Sequence, residues 1–438
     1  MKILILLSLV LAPFVYADSW NGNNQPSNMG EYNYSFDALP RSGMVEEAHM
    51  PWSDNYWESD WGGISFRWNA VREQQRDPEG NESLDKYAQF SYTPPSLTQV
   101  RSMSKEELKK LSPAEKYDLL MGRYDYPTVH SERERTGPGY DDWQGICHGW
   151  VPAALNHPEP MATEATNTDG VVVPFGSSDI KALLSYYYGV PSYEFARGMR
   201  TVSRTGNTLQ FFDQFDISEI GKWLSVASGA SVFNSNWYKV SIDSLKDTAD
   251  CSSAASINEY GSAEKCVSAL SIRATVDNLN LVGQIGIRPS RGGRGIGDPN
   301  AGAFHVVMAN QLGLMKRGFV GNINKKIRNG EIWNQPIVGY DSQITRDHRN
   351  GRRGSVDVTT KLYYVNEIAQ QWEPVVGTPK QRIATFTFSY SLELDAYGNI
   401  TGGEWDSRAV HPSFLWKHDK LEIRGYMSKL NEIYHSRF

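Results

Sequence analysis

Three cysteines occur in 438 residues, and one of them, Cys147, lies in the stretch DDWQGICHGWVPAA with Gly145 and Gly149 two positions to either side. A thiol attacks as thiolate, and thiolate is favoured where free backbone N–H groups converge at the start of a helix. Residues 151–156 are helix-compatible and Pro152 suits a first turn, so Cys147 is expected at a helix N-terminus. The compartment sharpens its role. The opening residues MKILILLSLVLAPFVYA read as a secretory signal peptide, residues 1–17, cut after Ala17. Exported thiols are normally oxidised, and three cannot all pair within one chain. Cys251 and Cys266, close together in CSSAASINEYGSAEKC, are expected to form a disulfide worth about 3 kcal/mol in the chain-entropy view. Cys147 is then the odd thiol, a liability unless it does chemistry.

A nucleophilic thiolate needs a base, and the base an orienting group. Among nine histidines, His148 adjoins the cysteine but would point elsewhere on a helix, and His157 precedes Pro158 at the helix end. His305 lies in the apolar run AFHVVMANQLG, read as a strand with Phe304, Val306 and Met308 on one face; an imidazole there needs something to face. The orienter is expected in GEIWNQPIVGYDSQI as Asn334, with Asp341 the alternative. Cysteine on a helix, then histidine and Asn or Asp on strands, is the papain-type order. Gln144 and Trp143 are candidate oxyanion donors beside the Cys147 N–H, and Trp150 and Trp333 candidate walls against water.

The surrounding elements must position these groups. Ser104-x-x-Glu107 and Ser112-x-x-Glu115 are capping boxes that open helices, the second expected to stop at Tyr126-Pro127. Ser177 or Ser178 caps a helix ending at Gly189, and residues 250–286 read as helix. The last third alternates with period two in VDVTTKLYYV and ATFTFSYSLELD, turns at DAYGN and returns as NITGGEW. The basic stretch RDHRNGRRG reads as a solvated hairpin end. Helices followed by antiparallel strands argue for an α+β fold, with the nucleophile's helix packed on the sheet. Residues 18–100, rich in Asn, Ser, Trp, Tyr and Gly, form an aromatic N-terminal region, a prosegment or accessory layer; residues 101–438 form the catalytic domain.

The formal charge of −6 speaks against nucleic-acid binding, and after the leader no run approaches the roughly 20 apolar residues of a membrane span. GICHGWVPAA, AFHVVMANQLG and IWNQPIVGYD, with LELDAYGNITGGEW and HPSFLW downstream, resemble the elicitor-type transglutaminases, secreted cell-wall proteins of oomycetes. The resemblance implies a papain-like or transglutaminase-like core and acyl transfer. The Cys147 thiolate would attack a glutamine carboxamide, His305 would protonate departing ammonia, and a lysine or small primary amine would resolve the thioester. Asn334 stands where animal-type transglutaminases use Asp. Calcium is implied by analogy, although no Asp-x-Asp-x-Asn-Gly loop is visible, and the paired Cys/His spacing of a zinc site is missing.

Overall fold

The strands follow the alternation of the sequence. In the segment Ile383–Leu394, Phe386, Phe388, Tyr390, Leu392 and Leu394 are buried, and the residues between them reach solvent to some degree. The computed structural model describes residues 25–70, 84–189, 285–287, 299–323, 333–406, 410–412, 414–418, 420–423 and 425–436. The leader at 1–17, Cys251, Cys266 and nearly all of the helix expected over 250–286 lie outside the described residues; at the end of that stretch, Ile285–Ile287 is a strand.

The strands are β1 (Ser42–Met44), β2 (Thr163–Thr166), β3 (Val172–Phe175), β4 (Ile285–Ile287), β5 (Phe319–Asn322), β6 (Asn334–Asp347), β7 (Gly354–Val365), β8 (Ile383–Leu394), β9 (Ile400–Trp405) and β10 (Phe414–Lys417). Eight of them form one antiparallel sheet in the order β4-β10-β5-β6-β7-β8-β9, with β1 added to β6; β2 and β3 pair separately. The basic residues at 348–353 close the β6–β7 hairpin, where the partly buried Arg349 pairs with Asp347 and Asp37.

The helices are α1 (Leu84–Ser91), α2 (Leu97–Ser102), α3 (Lys105–Lys109), α4 (Pro113–Leu120), α5 (Pro127–Glu134), α6 (Cys147–Asn156), α7 (Ser177–Gly189), α8 (Ala301–Met308) and α9 (Leu430–Ile433). Ser104 and Ser112 make reciprocal capping boxes with Glu107 and Glu115, and Ser96 makes a third with Gln99. Pro127 starts α5 instead of stopping α4: its fixed φ suits the first helical position, and Tyr126 before it turns the chain at φ 51. Ser177 and Ser178 are the first residues of α7, with their hydroxyls given to Pro160 O and Asp54 Oδ1; Asp179 instead accepts the N–H of Gly176 at 2.7 Å.

The segment around His305 differs from its expected strand: it is α8, followed by a π-helical turn over Ala309–Leu314. Asn300 caps it, with Oδ1 accepting from Gly302 and Ala303. Every residue from Ala301 to Met308 is buried, so neither period could show in the sequence.

Residues 25–70 are built into this architecture. β1 extends the sheet beside β6, and most of 51–65 is buried, including Trp52 and Trp57. Behind that segment, Lys181 pairs with Glu159 and donates to Ser53 O, and Lys116 pairs with Asp179 at 2.6 Å. These buried charges are held in complementary pairs, without which their desolvation would be prohibitive.

Candidate active site

Cys147 is the first residue of α6 and is buried, 7% exposed. Its two flanking glycines have separate steric reasons. A Cβ on Gly149 would stand 2.1 Å from Ser185 O and 2.8 Å from the Gly189 Cα, so α6 and α7 touch backbone to backbone there. A Cβ on Gly145 would meet Tyr56 O at 2.6 Å, closing the space through which the N-terminal segment reaches the helix start. That approach is hydrogen-bonded: Ile146 N donates to Tyr56 O at 2.8 Å and Ser59 N to Gln144 O at 2.8 Å. Pro152 falls inside α6, beyond the first turn. It removes one ladder bond from a helix otherwise held by its burial and by α7.

The thiol faces Asn334, the first residue of β6. Asn334 Nδ2 donates to Cys147 Sγ at 3.4 Å, and Asn334 Oδ1 accepts from Trp416 Nε1 at 3.0 Å. All three residues are buried. Burial pushes the thiol pKa up; the Asn334 side chain, the Asn334 backbone N–H and the His148 backbone N–H pull the other way, and the charge of Glu367 adds to the rise. Glu367 is itself raised by burial and accepts a hydrogen bond from Gln335 Nε2. Tyr56 stands edge-on to Trp333, ring centroids 5.5 Å apart, and its hydroxyl donates to Asp142 O at 2.5 Å. The neighbours of Cys147 and Asn334 in the chain are thus clasped together.

His305 is elsewhere. The register of the sheet places Ile337, Tyr364, Ala384, Phe386, Phe388 and Tyr390 on one face, since Ile337 pairs with Tyr364 and β7 and β8 stay in step throughout. Asn334, three residues before Ile337 with no bulge between them, faces the other way. His305 Nδ1 bonds the Tyr390 hydroxyl at 2.6 Å, and Tyr390 bonds Thr360, which bonds Ser342. The imidazole and the thiol therefore lie on opposite faces of the sheet. Burial, with Arg41 nearby, lowers the His305 pKa to about 3, so the ring is neutral.

The other sequence candidates divide in the same way. Asp341 is exposed, paired with Ser42 and Lys361, about 20 Å along β6 from Asn334 at the usual strand rise. Trp150 turns into the core, where its indole donates to Trp52 O. Trp333 stands beside Asn334, partly buried. Gln144 Oε1 accepts from Asp141 N at 3.1 Å, and Trp143 is partly exposed. His148 Nε2 bonds Gly189 O at 3.1 Å, burial lowering its pKa to about 4, and His157 bonds the Tyr188 hydroxyl. Sequence reasoning missed Trp416, Tyr56 and Glu367. The aromatic density of MPWSDNYWESDWGG and the FLW of HPSFLW were the available signals, but neither shows what it packs against.

Among the described residues no three His, Cys, Asp or Glu side chains gather as a metal site. No helix among them is long and apolar enough to cross a membrane.

The sequence profile of the family described as "Transglutaminase elicitor" matches residues 30–196 and 293–422, more than half of the chain. A search of curated proteins found no match. Among solved structures the chain is similar to the crystal structure of the GP42 transglutaminase from Phytophthora sojae, at 17% identity and a TM-score of 0.51, covering 95% of this chain and 98% of that one. At that identity the likeness speaks for the fold, a mixed helical and antiparallel-sheet architecture. The profile match establishes the lineage: this chain belongs to the transglutaminase elicitor family.

Proposed function

We propose that the protein is an exported protein-glutamine γ-glutamyltransferase with Cys147 as its nucleophile. The observation that carries this reading is the buried Cys147 thiol at the start of α6 with the Asn334 carboxamide N–H directed at it, in a chain of this family. Sulfur attacks the side-chain carboxamide carbon of a glutamine donor. The carbon–nitrogen bond breaks, ammonia leaves carrying the thiol proton, and a γ-glutamyl thioester remains. A primary amine, a lysine side chain or a small amine, then displaces sulfur, giving an isopeptide bond and the free thiol. Asn334 serves here as a donor to the thiolate and to the oxyanion that follows, since a preorganised N–H in a dry site stabilises developing negative charge. His305 has no part in this scheme because the sheet stands between it and the sulfur. The Tyr56–Trp333 pair shields the thioester from water, which favours amine over hydrolysis.

Incorporation of a fluorescent primary amine into a glutamine-rich protein, with ammonia followed in parallel, tests the proposal. Amide product and ammonia should appear in near-equal amounts. Ammonia alone would make the protein an amidase of the same site, peptide-bond cleavage a protease, and neither product a surface protein without this activity.

A further inference from the structure

We infer that Trp416 is a positioning residue which fixes the Asn334 carboxamide so that its NH2 group, and not its oxygen, faces Cys147. The inference rests on the reading of Cys147 as the nucleophile, but its geometry stands apart from any substrate.

A carboxamide is nearly symmetric in shape and opposite in character at its two ends: one end donates, the other accepts. Flipping it by half a turn would present a carbonyl oxygen to the sulfur and repel a thiolate. Something must therefore choose the orientation. The indole N–H can only donate, so the Asn334 atom at 3.0 Å from Trp416 Nε1 is the oxygen. The atom on the Cys147 side is then the nitrogen, 3.4 Å from Sγ. The orientation follows from the chemistry of the partner, where the shape of the amide alone would leave it open.

The sheet explains why a tryptophan stands there. Trp416 on β10 pairs with Val320 on β5, and Val320 pairs with Pro336 on β6, so Trp416, Pro336 and Asn334 share a face. β10 and β6 are separated by a whole strand, roughly 10 Å between backbones at ordinary spacing. The indole of Trp416 carries its donor into that gap; a serine or threonine is too short, and a phenylalanine has no donor. Trp416 is fully buried, so it has few other conformations to adopt.

The test is the pH profile of iodoacetamide alkylation of Cys147, read without substrate, alongside the melting temperature. Trp416→Phe keeps most of the volume and loses the N–H. Because a buried hydrogen bond biases an orientation by about 1 kcal/mol, the apparent thiol pKa should rise by about 0.7 unit and alkylation at neutral pH fall about fivefold. On an Asn334→Ala background the same change should leave the thiol titration where Asn334→Ala put it, because the group through which Trp416 acts is gone; a packing role would add to the first effect. Should Trp416→Phe fail to fold, 3-benzothienylalanine introduced at position 416 keeps the bicyclic shape, lacks the N–H, and should give the same shift. A thiol titration unchanged by loss of the N–H, or an equal shift without Asn334, overturns the inference. A shifted titration in a protein that transfers no glutamine supports it and sinks the functional reading instead.

Discussion

Replacing Asn334 by Asp exchanges the NH2 facing the sulfur for an oxygen while leaving shape and size almost unchanged. The Trp416 N–H can still donate to one carboxylate oxygen, so the other occupies the place of Nδ2, 3.4 Å from Sγ. Two unit charges at that separation repel by about 5 kcal/mol at an effective dielectric of 20, equivalent to roughly 3–4 pKa units. Thiolate and carboxylate would then not coexist, and one proton would be shared between them over the neutral range. Asn334→Ala removes only a donor to a charged group, worth about 1.5–3 kcal/mol, or roughly 1–2 pKa units. Thiolate at neutral pH should therefore fall in the order unmodified protein, Ala variant, Asp variant, and amine incorporation should follow. The papain-type reading of the sequence predicts the reverse, because a carboxylate accepts an imidazole N–H at least as well as an amide does. The assay is the rate of iodoacetamide alkylation against pH, paired with fluorescent-amine incorporation for the three proteins. An Asp variant that retains more activity and a lower thiol pKa than the Ala variant would refute the donor role of Asn334.

Three further outcomes follow from the same geometry. Glu367→Gln removes a negative charge that opposes ionisation of Cys147, so the thiol should titrate at lower pH than in the unmodified protein, measured by the same alkylation profile; an upward shift would contradict the field described here. Gly149→Ala places a Cβ 2.1 Å from Ser185 O, a clash with backbone that cannot swing aside, and should destabilise by about 2 kcal/mol or more in chemical denaturation, whereas an unchanged midpoint would mean that α6 and α7 are not in contact there. His305 is held neutral, its pKa lowered to about 3 from an ordinary 6.5. The unfolded chain binds its proton more readily, so its contribution is whole above pH 6.5 and declines as the pH falls towards 3, by about 2 kcal/mol at pH 5. His305→Gln should accordingly narrow the stability difference between pH 7 and pH 5 and keep amine incorporation within a few-fold; loss of all transfer in a folded variant would restore the imidazole to the mechanism.

Local signals in the sequence were reliable where local physics decides. The Ser-x-x-Glu boxes at 104 and 112 cap the helices they announce, and the Phe386-to-Leu394 alternation is the buried face of β8. The start of α6 at Cys147 could likewise be read from a glycine-flanked thiol before a helix-compatible run. What could not be read is what each side chain meets across the fold. His305 lies in a segment buried on every side, where periodicity carries no information, and its face of the sheet is set by pairings with β8 some 85 residues later. Asn334, expected to orient His305, meets the Cys147 thiol instead, and Trp416 arrives beside it only through the β10–β5–β6 register. The N-terminal region reads as a prosegment or an accessory layer because its aromatics lack a period; those residues pack irregularly around the helix start, with Tyr56 and Trp57 shaping the space at Gly145.

The central claim is that Cys147 carries the acyl group. Intact-mass measurement of the protein incubated with a glutamine-containing peptide and no amine tests it directly. The account predicts an adduct equal to the peptide less ammonia, located on Cys147, discharged by a primary amine and missing from Cys147→Ala. Isopeptide product made at an undiminished rate by the Cys147→Ala protein would contradict it.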